Sequence, residues 1–326
     1  MRMNDSISSS ARQIGMLAGI SLSVIALVSC GSTDSNIPIV TGPGGTTANG
    51  TSSAASNLLA QGRAYQNAGR TRKALSVYET INKKYPHSTS SGEASFAKAQ
   101  IFDKRGDIFD AFEAYQVIVA KHQDSPHYGA AVKRQEEIAH ASADGVITNN
   151  FLGLKTKINP DKIQNMLGKV RDNAPQAPSA AKAQYTVGRM WQQQGSAAKA
   201  TDAYKKVDLN YGSTSYAPEA LYQTGEILIL KAKHGNQNKA NVNLARNVYE
   251  ELIQRFPSHK RAADARKRLG MLGGQDIQRS YDVAEFYRAK GQNQAAIFYY
   301  QEVLRKSKSG ALHNKAKQRM SELGAQ

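Results

Sequence analysis

The chain has 326 residues, 40% hydrophobic and 21% charged, which is enough apolar side chain for a core and excludes a wholly disordered protein. A single cysteine excludes a disulfide framework and a cysteine-based zinc site. Lys and Arg outnumber Asp and Glu by 43 to 26, a net charge of +17 that suits acidic partner surfaces or anionic headgroups.

The first segment is an address. Arg2 and Arg12 give a positive start, and residues 14–28 follow without a charge. That run is shorter than the ~20 residues a membrane-spanning helix needs. It ends in Leu27-Val28-Ser29-Cys30-Gly31, with the chain's one cysteine directly after the apolar run. These residues resemble the lipobox of bacterial lipoproteins. The resemblance implies a signal peptide over 1–29, cleavage after Ser29, diacylglycerol on the Cys30 thiol and a further acyl chain such as palmitate on its freed amine. Several acyl chains anchor firmly, since each buried CH₂ adds ~0.8 kcal/mol. Gly31 rather than Asp after the cysteine implies the outer membrane, facing the periplasm. Export in turn removes nucleic acid as the partner of the positive charge. Residues 30–56 are rich in Gly, Ser, Thr and Asn, with Pro38 and Pro43, and read as a disordered N-terminal tether.

From residue 57 the chain repeats. Ala-x-x-x-Tyr recurs at Ala74/Tyr78, Ala111/Tyr115, Ala200/Tyr204, Ala245/Tyr249 and Ala296/Tyr300. A small residue stands twelve before the alanine in four of them, at Gly62, Ala99, Gly188 and Ala284. An aromatic follows it at Tyr65, Phe102, Trp191 and Tyr287, then a turn glycine at Gly69, Gly106, Gly195 and Gly291. Pro86 and Pro257 are expected to stop the second helix of the first and fourth of these units. Small residues let two helices cross closely, and aromatics fill the space toward the next pair. One such pair cannot bury its own faces, so the pairs must stack.

This pattern is similar to the tetratricopeptide repeat. It predicts an all-α solenoid of stacked antiparallel helix pairs, with units over 57–140 and 179–326. A degenerate unit or loop is expected at 141–178, where Ile163, Leu167, Val170 and Pro175 fit a second helix and the first, near 151–157, is poorly patterned. Between Gly225 and Ala245 the spacing is 20 rather than 12, which predicts an extended polar loop over 231–241.

Signal, tether and repeats together resemble the BamD (YfiO-like) family of outer-membrane assembly lipoproteins. The specific residues are Ala245-Arg-Asn-Val-Tyr-Glu-Glu-Leu-Ile-Gln-Arg-Phe-Pro-Ser258, Ala262-Ala-Asp-Ala265, Arg268-Leu269, Val283-Ala-Glu-Phe-Tyr287 and Ala295-Ala-Ile297. The family implies a non-enzymatic scaffold that binds unfolded β-barrel clients and the periplasmic domains of the barrel-forming assembly subunit. Tyr299 stands where the family commonly has an arginine. A Tol-system coordinator type of envelope scaffold is the alternative.

First helices of such solenoids line a groove, which assigns peptide binding to Arg63, Gln66, Asn67, Phe96, Gln100, Asp103, Lys104, Tyr185, Arg189 and Gln192. Mixed polar groups with isolated aromatics suit an extended peptide. Val283 to Tyr287 is expected to form hairpin core, leaving Arg279, Arg288, Lys290, Tyr299 and Arg305 as the partner-docking face. The seven histidines have no metal-ligand spacing and read as solvated. No nucleophile motif, phosphate loop or dinucleotide fingerprint occurs, so no cofactor, metal or catalytic residue is assigned.

Overall fold

The computed structural model describes residues 48–151, 154–234 and 239–325. The signal segment, Cys30 and residues 31–47 of the tether lie outside them. Among the described residues there are thirteen helices and one two-stranded hairpin, and the helices pack within one unit, Asn49–Gln326.

Six antiparallel helix pairs follow one another: α1 (Ala48–Asn67) with α2 (Thr71–Lys84), α3 (Thr89–Arg105) with α4 (Ile108–Lys121), and α5 (Tyr128–Ala143) with α6 (Pro160–Asn173). Then come α7 (Pro178–Gln193) with α8 (Ala197–Tyr211), α9 (Tyr216–His234) with α10 (Lys239–Arg255), and α11 (Lys260–Ala289) with α12 (Asn293–Lys306). A last helix, α13 (Ala311–Glu322), covers the end of α11 and α12. The five repeat alanines are fully buried, and so are Tyr78, Tyr249 and Tyr300 beside them. The turn glycines adopt the left-handed conformation that a Cβ disfavours, with φ of 72° at Gly69, 78° at Gly106, 74° at Gly195 and 70° at Gly291. Helices α2 and α10 end just before Pro86 and Pro257.

Four expectations change. Helix α1 opens at Ala48, so the last part of the stretch read as tether, 48–56, is helical. The degenerate unit has a regular first helix, but it is α5, at Tyr128–Ala143 and not near 151–157. The latter residues form strand β2 (Leu154–Thr156), paired antiparallel with β1 (Asn149–Phe151). Finally, the insertion at 231–241 is mostly helix, because α9 runs to His234 and α10 starts at Lys239. The extra residues lengthen the pair.

Helix α11 is twice the usual length. Its first half buries Ala262, Ala265 and Leu272 with α9 and α10, and its second half buries Ala284 with α12 and α13. These are separate apolar clusters, joined along the chain by α11 itself.

Candidate protein-binding surfaces

Each repeat tyrosine turns its hydroxyl toward the first helix of its own pair. Tyr78 donates to Gln66 Oε1 at 2.7 Å and Tyr204 to Gln192 Oε1 at 2.7 Å, each across twelve residues of chain. Tyr249 donates to Glu226 at 2.7 Å and Tyr300 to Glu285 at 2.5 Å. Burial, and then the Asp103 carboxylate, push the Tyr115 hydroxyl up to about 12, so it stays protonated and donates. A fixed ring with a fixed polar partner sets the spacing of each hairpin.

Successive first helices are joined by a second set of contacts. Arg63 on α1 meets Glu93 on α3 at 2.6 Å, and Asp103 on α3 takes both a 2.7 Å bond from Arg134 Nε and a 2.7 Å bond from its Nη2 on α5. Asp144, at the end of α5, pairs with Arg189 on α7. Glu219 and Glu226 on α9 hold Arg261 and Arg268 on α11 at 2.8 and 2.5 Å, and Glu285 on α11 lies 3.4 Å from Arg319 on α13. The step from α7 to α9 is neutral, with Gln192 Nε2 donating to Gln223 Oε1 at 2.9 Å. Planar guanidinium groups make such bidentate contacts well.

The ten residues expected to bind peptide therefore divide. Arg63, Gln66, Asp103, Arg189 and Gln192 are engaged within the protein. Phe96 lies flat on His127, centroids 4.1 Å apart and planes 1° apart, and Tyr185 sits between Tyr204 and Tyr216 at 5.5 Å from each. Asn67, Gln100 and Lys104 stand exposed on the same helices. Sequence reasoning missed Glu93, Arg134, Glu219 and Glu226, and that Arg261 and Arg268 are paired with the last two. Their partners are 30 to 42 residues away, beyond the reach of any local pattern.

At the C-terminal end the docking residues fall on α11, α12 and the turn between them. Arg288 is held by Glu285 at 2.8 Å and Arg305 lies 3.6 Å from Glu302, while Lys290 reaches over the Phe286 ring at 4.9 Å. Arg279 is exposed on α11. Tyr299 is not a projecting anchor. It stacks on Tyr287, centroids 5.5 Å and planes 5° apart, and is half-buried. The projecting rings are Phe286, 54% exposed, and Phe298, 62% exposed. Phe286 was expected in the hairpin core, but it lies one position off the line of buried Ala284 and half-buried Tyr287, which turns it outward.

Two histidines are not solvated. His122 is buried, with its ring against Gly92. His140 Nδ1 lies 3.1 Å from Thr186 Oγ1, while its Nε2 is buried without a hydrogen-bond partner. Burial, reinforced by the Lys182 ammonium, holds its pKa down to about 4. Among the described residues no group of three His, Cys, Asp or Glu side chains is placed to hold a metal ion, and no helix is long and apolar enough to cross a membrane.

Tetratricopeptide repeat family models match residues 59–126 and 219–259. No curated protein sequence matches the chain. Among solved structures, the chain is similar to a thermophilic tetratricopeptide repeat protein of Thermus thermophilus, with 19% identity over 67% of this chain and 98% of that one, at a TM-score of 0.30. A tetratricopeptide repeat protein from Parabacteroides merdae has 13% identity over 83% and 99% of the two chains, TM-score 0.30. PilF of Pseudomonas aeruginosa has 12% identity over 82% and 98%, TM-score 0.28.

Proposed function

We propose that this protein, an all-α tetratricopeptide-repeat solenoid, is a lipid-anchored scaffold of outer-membrane β-barrel assembly. Cys30 would carry the lipid, and the periplasm-facing repeats would hold unfolded barrel clients and the periplasmic domains of the barrel-forming subunit. The observation that carries the reading is the C-terminal hairpin. Its buried residues Ala284, Ala296 and Tyr300 build an ordinary repeat, yet among the described residues its outer face leaves the rings of Phe286 and Phe298 exposed beside cations. The family-like residues from Ala245 to Ile297 are concentrated in this half.

Docking is assigned to Arg279, Arg288, Lys290, Tyr299 and Arg305. Exposed charges of this kind mainly set association rate and salt sensitivity. Client capture is assigned to the first-helix face, with Asn67, Gln100 and Lys104 as its uncommitted polar groups. Scaffolding is binding work, and no catalytic residue is assigned.

The test is mild cross-linking of the tagged protein in its own envelope, followed by identification of what it retains. Recovery of the barrel-forming subunit supports the reading. Recovery of Tol-system proteins in its place points to the alternative envelope scaffold.

A further inference from the structure

The hairpin between α5 and α6 has two edges, and they differ. On one side β1 lies along the turn between α3 and α4. Asn150 N–H donates to the Gly106 carbonyl at 2.8 Å, and Asn150 Nδ2 to the Arg105 carbonyl at 3.0 Å. Asn149 Oδ1 accepts from the Phe109 N–H at 3.3 Å. A Cβ on Gly106 would come within 3.2 Å of the Asn150 Cβ, so that glycine serves the approach of the strand as well as the turn. This edge is closed, and it fixes the hairpin on the helices.

The same bond defines the other edge. In an antiparallel pair, residues opposite each other either exchange both backbone bonds or turn both groups away. Asn150 stands opposite Lys155 and gives its N–H to Gly106, so these two turn away from each other. The N–H and C=O of Lys155 therefore point out from the free side of β2, and among the described residues nothing bonds them. All three residues of β2 are exposed. An outward donor and acceptor on one strand residue are what an added strand pairs with. A bilayer offers no such matched N–H and C=O. A second copy laid antiparallel on this edge sets Lys155 against Lys155, and like charges directly opposite are unfavourable. Lys155 and Lys157 have no carboxylate partner among the described residues. Leu154 and Thr156 share the other face of the strand, where Leu154 is exposed.

We propose that β2 takes up an extended segment of a protein partner as a third strand, with an acidic residue opposite Lys155 and an apolar one opposite Leu154. The added strand runs antiparallel, because a single residue then meets both outward groups of Lys155. The acidic side chain falls on the same face as the lysine, and the apolar one on the face of Leu154. The lysine that guards this edge against its own copy thus selects the partner. The site lies outside the groove and docking residues assigned above and does not rest on them.

The test follows the backbone amide at position 155 of the isotopically labelled full-length protein by NMR. The probe is a capped peptide, Ser-Val-Glu-Leu-Ser, whose addition should shift that amide and slow its hydrogen exchange. Methylating the glutamate nitrogen removes the donor to the Lys155 carbonyl and should weaken binding about tenfold. Methylating the leucine nitrogen, which points away from β2, should leave binding unchanged. Lysine in place of the glutamate should weaken binding about threefold, and Lys155→Glu should reverse that preference while leaving the melting curve unchanged. Equal binding of the two methylated peptides would reduce the contact to side chains and charge and overturn the proposal. So would a shift of the amide that grows with protein concentration alone, which gives the edge to a second copy. No response to the peptide, with or without a response to phosphatidylglycerol vesicles, would overturn it as well.

Discussion

The α-carbon of Gly188 lies against the ring of Tyr204, so that a Cβ there would meet Cδ1 and Cε1 at 2.5 Å. Gly62 stands in the same relation to Tyr78 at 2.5 Å, and Gly225 to Tyr249. In the second and last pairs the equivalent residues are Ala99 and Ala284, fully buried beside Tyr115 and Tyr300. Three hairpins thus leave no room for a methyl at the crossing, and two hold one there. Where glycine stands, the ring has advanced into the space of the missing methyl.

Gly188→Ala should therefore destabilise the protein by ~1–3 kcal/mol, because overpacking forces the ring or the helix to move. Ala284→Gly should cost only ~1 kcal/mol, from helix propensity and a small void. Urea unfolding of both variants checks the asymmetry. Equal, small losses would mean that Tyr204 swings aside freely.

The Asp103–Arg134 contact joins α3 to α5 through two 2.7 Å bonds, and Glu137 adds a third at 3.1 Å. Arg134→Lys keeps the charge but not the fork. It should lower stability by ~1 kcal/mol, the range of a partly exposed pair with good geometry. A double-mutant cycle with Asp103→Asn measures the coupling, and Arg63 with Glu93 should give less, since Arg63 is more than half exposed.

Much of this was legible in the sequence, and the rest had physical reasons for being hidden. The Ala-x-x-x-Tyr register located five of the six second helices because burial there repeats strictly. Helix α5 escaped because its buried residues are Ala131, Gln135, Ile138, Ala139, Ser142 and Ala143, with no aromatic among them to mark the crossing. The double length of α11 carries no plain mark in the sequence, since glycines at 270, 273 and 274 interrupt its helical pattern. The projecting Phe286 and Phe298 were hidden among neighbours that are core, and the Arg–carboxylate bridges join positions that only stacking brings together.

His140 makes stability depend on pH. Its folded-state pKa, about 4, lies below the ~6.5 of an unfolded histidine. Between those values the unfolded chain binds the proton and the folded one does not, so stability is full above ~6.5 and is lost as pH falls toward 4. His122, also lowered chiefly by burial, acts in the same direction. The contribution of His140 is up to about 3 kcal/mol. Urea midpoints at pH 7 and pH 5 should differ more for the wild type than for His140→Gln. An unchanged pH dependence in the variant would place the effect on other groups.

Helix α11 carries the least economical sequence of the fold. Gly270, Gly273 and Gly274 lie in its interior, and a Cβ on any of them would have nothing within 4 Å. They are not required by a close approach within the chain, nor by a left-handed backbone, since none of them is among the positive-φ glycines. Each costs ~1 kcal/mol relative to alanine through the entropy of the unfolded backbone. Gly273 and Gly274 also fall between the two clusters that α11 joins, the one around Tyr249 and Leu252 and the one around Tyr300 and Val303, and Gly270 lies at the end of the first, between Leu269 and Leu272. Gly270→Ala, Gly273→Ala and Gly274→Ala should therefore each raise stability by ~0.5–1 kcal/mol, and together should couple the two halves more tightly. Hydrogen exchange separates these effects. If the glycines limit cooperativity, the amides of α12 and α13 open at lower free energy than those of α9 and α10 in the wild type, and the triple alanine variant closes the gap. A variant that is stabilised uniformly, with the gap intact, would assign the glycines to backbone entropy alone.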